Sequence, residues 1–311
     1  MMYFFLVFGF VFLIKGADFF VDGSSAAAKR LRVPSIIIGL TIVAMGTSLP
    51  ETSVSVSASI AGKNELSISN AIGANIVNLL VVAGLCAVLC PLVIDKDALK
   101  RDIPISLLAA GGLLGMGACF GELKRFCGIT LLAAFVVFLY LMVHSAFEAR
   151  NSSSAVEEDE IKALPVWRCI VYIIGGMIAI AIGGKMVVNG ASDIAHTFGM
   201  SDNLIGMTIV ALGTSLPELV TSVVAARKNE LDMALGNVIG SNIFNILFVL
   251  GIASSIAPMT FTHLNVIDTT VLIACTVLVL LFCIPKRKLV RWQGIVMLMI
   301  YSGYTVYLFM R

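Results

Sequence analysis

The most constraining feature of the sequence is an internal repeat that places a proline and a glutamate inside apolar stretches. Residues 39–51 read GLTIVAMGTSLPE and residues 206–218 read GMTIVALGTSLPE, identical at 11 of 13 positions with an offset of 167 residues. A second pair follows at the same offset, SNAIGANIVN at 69–78 and GNVIGSNIFN at 236–245. The chain is therefore an internal duplication. A carboxylate in an apolar setting is costly, so its repetition indicates a function shared by both copies.

Composition places the chain in a membrane. Of its 311 residues, 59% are hydrophobic and 13% are charged, whereas soluble domains carry about 25% charged residues. A net charge of +2 gives no indication of nucleic-acid binding. The three histidines lie far apart and the seven cysteines are scattered, which argues against a zinc or haem site. We expect no cofactor and no obligate protein partner.

Hydrophobic length predicts an all-α integral membrane protein. A membrane-spanning helix needs about 20 mostly apolar residues. Ten such segments are predicted, at residues 3–24, 33–60, 67–90, 103–120, 126–148, 166–190, 202–226, 233–257, 266–284 and 290–309. They divide into a first five-helix repeat at 1–148 and a second at 166–311, joined by a short, polar and acidic linker at 149–165.

The distribution of basic residues predicts the orientation. Fifteen of the 21 Lys and Arg residues fall in alternate loops on one side, and four fall on the other side. The positive-inside rule then places both termini outside and the linker in the cytoplasm, in a multi-pass protein of the cell (plasma or inner) membrane. Because each half has an odd number of spans, the second repeat must be inverted. Inverted repeats with interrupted helices at matching positions are typical of secondary transporters, which bind their substrates near the membrane midplane.

The two prolines predict breaks in helices at the site. Pro50 and Pro217 have no N–H group to donate to the preceding turn, so each should open its helix and loosen backbone carbonyls. Carbonyls freed at membrane depth are tolerated only when they are buried in protein or line a wet cavity. The sequence therefore predicts that the two breaks face a polar site.

Polar side chains around these breaks supply only oxygen and amide groups. Thr47 and Thr214 lie four residues before the acids and share a helical face with them, and Ser48 and Ser215 add hydroxyls one residue on. In the partner helices, Asn75 and Asn78 lie three apart on one face, and Asn242 and Asn245 repeat them. Together with Glu51 and Glu218 these residues form the candidate site. Hard oxygen donors suit calcium, sodium or magnesium, and a closed protein cage favours calcium over magnesium. Two carboxylates balance one calcium ion or two or more sodium ions. For Asn75 and Asn242 we favour hydrogen bonding between helices.

The motifs GTSLPE at 46–51 and 213–218, with GNVIGSNIFN at 236–245, resemble the alpha-repeats of the calcium/cation antiporter superfamily, and most closely its prokaryotic sodium/calcium exchangers. The resemblance covers the whole chain. It implies alternating access, in which the first and sixth spans slide across the other eight. It also implies central ligands at Glu51, Asn78, Glu218 and Asn245, and sodium sites at Ala44 and Ala211 (backbone carbonyls), Thr47, Thr214, Ser48, Ser215 and Ser241. The chain departs from the family pattern at Ala74, where a serine is common.

Three functions follow from these observations, and none of them is an enzymatic activity. The first is a sodium-driven calcium antiporter. The second is a calcium/proton antiporter, or one for another divalent cation, because two carboxylates about 6 Å apart at an effective dielectric near 20 repel by roughly 3 kcal/mol, which favours protonation. The third and most remote is a passive cation channel.

Overall fold

The computed structural model describes residues 2–152, 164–200 and 211–310. Helices contain most of these residues. They are α1 (Met2–Leu31), α2 (Ser35–Thr47), α3 (Leu49–Ile60), α4 (Glu65–Leu89), α5 (Ala98–Phe120), α6 (Arg125–Asn151), α7 (Val166–Thr197), α8 (Ala211–Thr214), α9 (Leu216–Arg227), α10 (Leu231–Ile256), α11 (His263–Cys283) and α12 (Arg291–Met310). Single π-helical turns interrupt α2 at Gly39–Val43, α4 at Asn78–Val82 and α10 at Asn245–Val249, and another opens α5 at Ala98–Asp102.

Much of the predicted set of spans is present. Within the described residues, eight helices are long and apolar enough to cross a membrane, and α2 with α3 forms a ninth span bent by 49°. The span predicted at 202–226 lies partly outside the described residues, and its remainder forms α8 and α9. Most of the predicted linker also lies outside them. The protein is therefore an all-helical, multi-pass membrane protein.

Helix α5 begins earlier than the sequence predicts, at Ala98 rather than at residue 103. The added turn contains charged residues that hydropathy excludes from a span. Arg101 and the fully buried Asp102 neutralise one another, with 2.6 Å between Nε and Oδ1. A second guanidinium nitrogen of Arg101 donates to the Ser145 hydroxyl on α6. This pairing explains how the charged turn joins the helix.

Two helices form the interior of the bundle, and the outer helices carry large apolar side chains on its surface. In α4 and α10, 72% and 78% of the most apolar stretch is buried, so these two helices form the centre of the bundle. Outer helices present large apolar side chains to the surroundings, including Phe4, Leu108 and Val136. An apolar surface of this extent is suited to lipid rather than water.

Helices α1 and α7 pack against each other through glycines spaced seven residues apart. These are Gly9, Gly16 and Gly23 in α1 and Gly176, Gly183 and Gly190 in α7. A Cβ atom at Gly176 would lie 2.7 Å from the carbonyl oxygen of Gly16, and one at Gly183 would lie 2.7 Å from that of Gly9. Small residues allow such close approach between membrane helices. The two helices thus form an antiparallel pair in direct backbone contact.

A second close contact joins α10 to α2, the helix that leads to the first break. A Cβ atom at Gly236 would lie 2.6 Å from the carbonyl oxygen of Ile36, and one at Gly240 would lie 2.6 Å from that of Leu40. Gly73 and Gly240 occupy matching positions in the repeat, and the sequence predicts close helix approach at both. The structure confirms it at Gly240, whereas a Cβ atom at Gly73 would meet no atom of the described residues within 4 Å. This contact holds the second copy's central helix against the first copy's broken helix.

Four two-residue strands form two antiparallel pairs. They are β1 (Leu92–Val93), β2 (Glu122–Leu123), β3 (Met259–Thr260) and β4 (Lys288–Leu289). β1 pairs with β4, and β2 pairs with β3. At the 167-residue offset β1 corresponds to β3 and β2 to β4, so each copy contributes one strand to each pair.

Candidate ion-binding site

The two acids of the repeated motif lie in the first turns of two broken helices. The break in the first copy is a single residue, Ser48, with φ −85° and ψ 15°, and Ser215 repeats it with φ −88° and ψ 4°. Glu51 and Glu218 then fall in the first turns of α3 and α9, and both are fully buried. The positive end of a helix dipole favours a carboxylate there.

The helix breaks predicted from the prolines are present, but each proline lies in the first turn after its break. Pro50 lies in the first turn of α3, where its missing N–H group leaves no intrahelical bond unmade. The break therefore comes after Thr47 instead of opening the turn at Gly46. Across it the Ser48 N–H group still donates to the carbonyl of Ala44, at 3.1 Å.

Each copy places a hydroxyl beside the acid of the other copy. The Ser48 hydroxyl donates to Oε1 of Glu218 at 2.8 Å. In the opposite sense, the Thr214 side chain lies close to the carboxylate of Glu51. The two carboxylates are also near enough to repel one another. The broken helices of both copies therefore meet at one centre.

Asparagines from α4 and α10 close this centre. The Asn75 side-chain amide donates to the carbonyl of Asn242 at 3.1 Å, and the Asn242 amide donates to the carbonyl of Asn75 at 3.3 Å. This reciprocal pair confirms the predicted hydrogen bonding between helices. The Asn245 amide donates to Oδ1 of Asn75 at 3.0 Å. These bonds hold the two central helices in register beside the acids.

Several buried polar atoms at this centre have no hydrogen-bond partner among the described residues. They are both carboxylate oxygens of Glu51, Oε2 of Glu218, both amide atoms of Asn78, Oδ1 of Asn242 and of Asn245, and the hydroxyls of Ser215 and Ser241. An unpartnered buried polar group costs about 1–3 kcal/mol. So many in one place, with two carboxylates among them, form a set of donors suited to a hard cation.

The other residues predicted for the site lie around the same centre. Thr47 is buried, and its hydroxyl is 3.1 Å from the carbonyl oxygen of Val43 and 3.3 Å from that of Ala44. Ala44 is fully buried. Ala211 begins α8, one turn before the second break.

Two residues of the site escaped the sequence analysis. Asn237 is fully buried on α10, and its amide donates to the Ser222 hydroxyl at 2.9 Å and to the carbonyl of Glu218 at 3.4 Å. Asn70, its counterpart at the 167-residue offset, makes the same two donations, to Ser55 at 3.0 Å and to the carbonyl of Glu51 at 3.4 Å. The offset that identified the acids also marks these two asparagines.

A cavity of about 490 Å³ approaches the centre from one side. It lies between α3, α7 and the break between α8 and α9, and its walls include Thr214 and Pro217. Lys185 and Asn189 of α7 also line it. Thr214 therefore contacts the cavity and also lies close to the buried carboxylate of Glu51.

Ion pairs close the opposite end of α1. The Lys228 ammonium, just after α9, lies 2.8 Å from Oδ1 of Asp22 and 3.3 Å from Oδ1 of Asp18. Nearby, the Ser25 hydroxyl donates to Glu230. Because α1 and α7 are antiparallel, these contacts lie toward the end of the pair away from the cavity. The cavity and these ion pairs therefore lie toward opposite ends of the α1–α7 pair.

A bundle of apolar helices around two buried acids and unpartnered oxygens defines a membrane protein that binds cations. The chain belongs to the family of the sodium/calcium exchanger protein, whose model matches residues 1–144 and 169–310. Several proteins that it resembles are named as exchangers or antiporters.

Individual relatives agree with this assignment. The chain is 41% identical to the putative antiporter CaxA of Alkalimonas amylolytica, with 98% of each chain covered. It is 34% identical to the sodium/calcium exchanger MaX1 of Methanosarcina acetivorans, with 98% of this chain and 97% of the relative covered. Among solved structures it is similar to the sodium-calcium exchanger NCX_Mj soaked with sodium and strontium, with a TM-score of 0.84, 36% identity, and coverage of 97% and 96%.

Proposed function

We propose that this protein exchanges calcium for sodium across the membrane by alternating access. The observation that carries the proposal is the meeting of Glu51 and Glu218, both fully buried, at a centre where carboxylate, amide and hydroxyl atoms lack partners among the described residues. Two carboxylates can balance one divalent ion or two monovalent ions on the same oxygens, which is the condition for exchange. The named relatives favour sodium and calcium as the pair.

The proposed ligands follow the sequence analysis. Calcium is held by the central set of Glu51, Asn78, Glu218 and Asn245. Sodium ions use the flanking oxygens of Thr47, Thr214, Ser48, Ser215 and Ser241 and the backbone carbonyls of Ala44 and Ala211. The transported ions are substrates, and the proposal requires no cofactor.

The proposed topology has ten spans in two inverted repeats, 1–148 and 166–311, joined by a cytoplasmic linker at 149–165. The strand pairs support the inversion. β1 and β2 flank α5 and therefore lie on opposite membrane faces. β4 pairs with β1, although its counterpart in the first repeat is β2. The second repeat then has the reverse orientation, with both termini outside.

Alternating access requires that the site open to one side at a time. We propose that the cavity beside Lys185 opens to the outside, and that the contacts of Lys228 with Asp18 and Asp22 hold the cytoplasmic side shut. The α1–α7 pair, in backbone contact along its length, would move as one body. Its movement toward the other state must break these ion pairs.

Uptake of radioactive calcium into proteoliposomes tests the proposal. A sodium gradient and a pH gradient are imposed separately, and a third sample receives neither. We expect uptake that is driven by the sodium gradient. Uptake driven only by the pH gradient would replace this proposal with calcium/proton exchange, and uptake without any counter-ion would indicate a channel.

Because Glu51 and Glu218 repel one another, protons can compete with calcium for the two carboxylates. This competition predicts that calcium binding depends on pH. Protonation relieves this repulsion, and a protonated carboxyl group is a poor calcium ligand. We therefore expect the half-maximal calcium concentration to rise as the pH falls from about 8 to about 5, the range of buried carboxyl groups. The measurement is sodium-driven calcium uptake at stepwise pH values. A constant half-maximal concentration would argue against a close pair of acids.

The difference between Ser241 and Ala74 predicts unequal sodium sites. The Ser241 hydroxyl is buried without a partner among the described residues, whereas Ala74, its counterpart, has none to offer. We expect Ser241→Ala to raise the half-maximal sodium concentration about 2- to 13-fold, the range of one neutral hydrogen-bonding group, with a smaller effect on calcium. Ala74→Ser should act in the opposite sense. If Ser241→Ala raised the half-maximal concentrations of sodium and calcium by the same factor, Ser241 would not be a dedicated sodium ligand.

A further inference from the structure

The side-chain amide of Asn237 has a fixed orientation. Its Nδ2 group donates to the carbonyl of Glu218 at 3.4 Å and to the Ser222 hydroxyl at 2.9 Å. A backbone carbonyl can only accept hydrogen bonds, so the amide nitrogen must face Glu218. The opposite atom, Oδ1, therefore faces the Thr47 hydroxyl of α2, at 3.0 Å.

This orientation gives the Thr47 proton an acceptor on a neighbouring helix. A hydroxyl has one proton to donate and two lone pairs that accept. Besides Oδ1 of Asn237, the acceptors in reach include the carbonyls of Val43 at 3.1 Å and Ala44 at 3.3 Å and the carboxylate of Glu218. Donation to Oδ1 leaves the lone pairs of Thr47 for a cation and also keeps the carbonyl of Ala44 free of this proton.

The same asparagine joins the two repeats. It lies on α10, it binds the backbone of Glu218 on α9, and it accepts from Thr47 on α2. In the first repeat, Asn70 makes the matching bonds to Ser55 and to the carbonyl of Glu51. The arrangement occurs in both repeats, fully buried at Asn237 and partly buried at Asn70, so it is a built feature of the fold.

We propose that Asn237 is a positioning residue for sodium: by accepting the Thr47 proton, it leaves only the lone pairs of that hydroxyl to face the ion. This inference rests on the proposed exchange function, and it adds a residue that controls the sodium affinity of that site. Asn237 does not touch the ion. It acts on the ion through the Thr47 hydroxyl and through the backbone carbonyl of Ala44, which it keeps free of the Thr47 proton.

The variant Asn237→Ala tests this role, with Ser222→Ala as the matched control. The control removes one bond to the asparagine but leaves its bonds to Glu218 and Thr47. We expect Asn237→Ala to raise the half-maximal sodium concentration about 2- to 13-fold and to change that of calcium less than 2-fold. Ser222→Ala should stay close to wild type for both ions.

A double-mutant cycle with Thr47→Val separates positioning from a general structural effect. Interacting residues give non-additive changes. If Asn237 acts through the Thr47 hydroxyl, Asn237→Ala will have little further effect on sodium once that hydroxyl is absent. Additive effects of the two substitutions, or equal shifts for sodium and calcium in Asn237→Ala, would overturn the inference.

Sodium binding is also measured without transport, so that the two proposals fail separately. Purified protein in detergent is titrated with sodium chloride or choline chloride, and thermal stabilisation by sodium gives its affinity. If the wild type binds sodium but does not exchange it for calcium, the proposed function falls and the cycle still tests Asn237. If exchange is intact and the cycle is additive in both assays, only the role of Asn237 falls.

Discussion

Replacing either acid of the repeated motif with its amide, Glu51→Gln or Glu218→Gln, is expected to abolish calcium exchange. A unit charge pair at about 4 Å and an effective dielectric near 20 contributes about 4 kcal/mol, and a divalent ion doubles this. Desolvation offsets much of that energy. Even about 3 kcal/mol of remaining loss would weaken calcium binding more than about 100-fold.

The structure predicts that both variants still fold. Glutamine has nearly the same shape, and in Glu218→Gln the amide oxygen can still accept the Ser48 hydroxyl bond seen at 2.8 Å. In Glu51→Gln the amide oxygen can still accept from the Thr214 side chain, which lies close to this carboxylate. Loss of transport would then reflect loss of charge.

The measurement is sodium-driven uptake of radioactive calcium into proteoliposomes, with size-exclusion profiles to verify folding. Glu122→Gln provides the control, because Glu122 is paired with Lys124 at a strand away from the site. We expect the control to transport like the wild type. Near-normal transport by either site variant would mean that the acid is structural and is not a required calcium ligand.

The position of the site could be predicted from the sequence, because a single offset identifies both acids and the paired asparagines. The contacts between one copy's hydroxyl and the other copy's acid could not be predicted. Spacing along a helix places Ser48 near Glu51, yet in the structure its hydroxyl binds Glu218 of the other copy. That contact depends on how the two repeats dock, and no local pattern encodes docking.

The exact form of the helix breaks also needed the structure. Proline indicates that a helix is interrupted nearby, but it is equally suited to the first turn of a new helix. Here Pro50 takes the second role and the break falls at Ser48. Asn70 and Asn237 were missed for another reason, since their importance comes from their partners across helices rather than from their spacing.

The second large effect is expected from adding a side chain at the contact between α1 and α7. The adjacent residues Gly176 and Gly175 provide the comparison. A Cβ atom at Gly176 would lie 2.7 Å from the carbonyl oxygen of Gly16 and 2.7 Å from the backbone nitrogen of Phe20. At Gly175 a Cβ atom would meet no atom of the described residues within 4 Å. Alanine should therefore be excluded at one position and tolerated at the next.

We expect Gly176→Ala to force the two helices apart, at a cost of about 1–3 kcal/mol for overpacking. The unfolding temperature in detergent should fall. Exchange should drop at least about tenfold, because the pair could no longer move as one body across the site. Gly175→Ala should be neutral or slightly stabilising, since alanine favours a helix over glycine by up to about 1 kcal/mol.

Thermal unfolding and sodium-driven calcium uptake are measured for both variants side by side. The helix, the substitution and the sequence neighbourhood are the same, so any difference between them reports the contact with α1. Equal behaviour of the two variants would mean that close packing of α1 against α7 is not needed. A variant Gly176→Ala that is stable but inactive would place the requirement in the movement of the pair rather than in its folding.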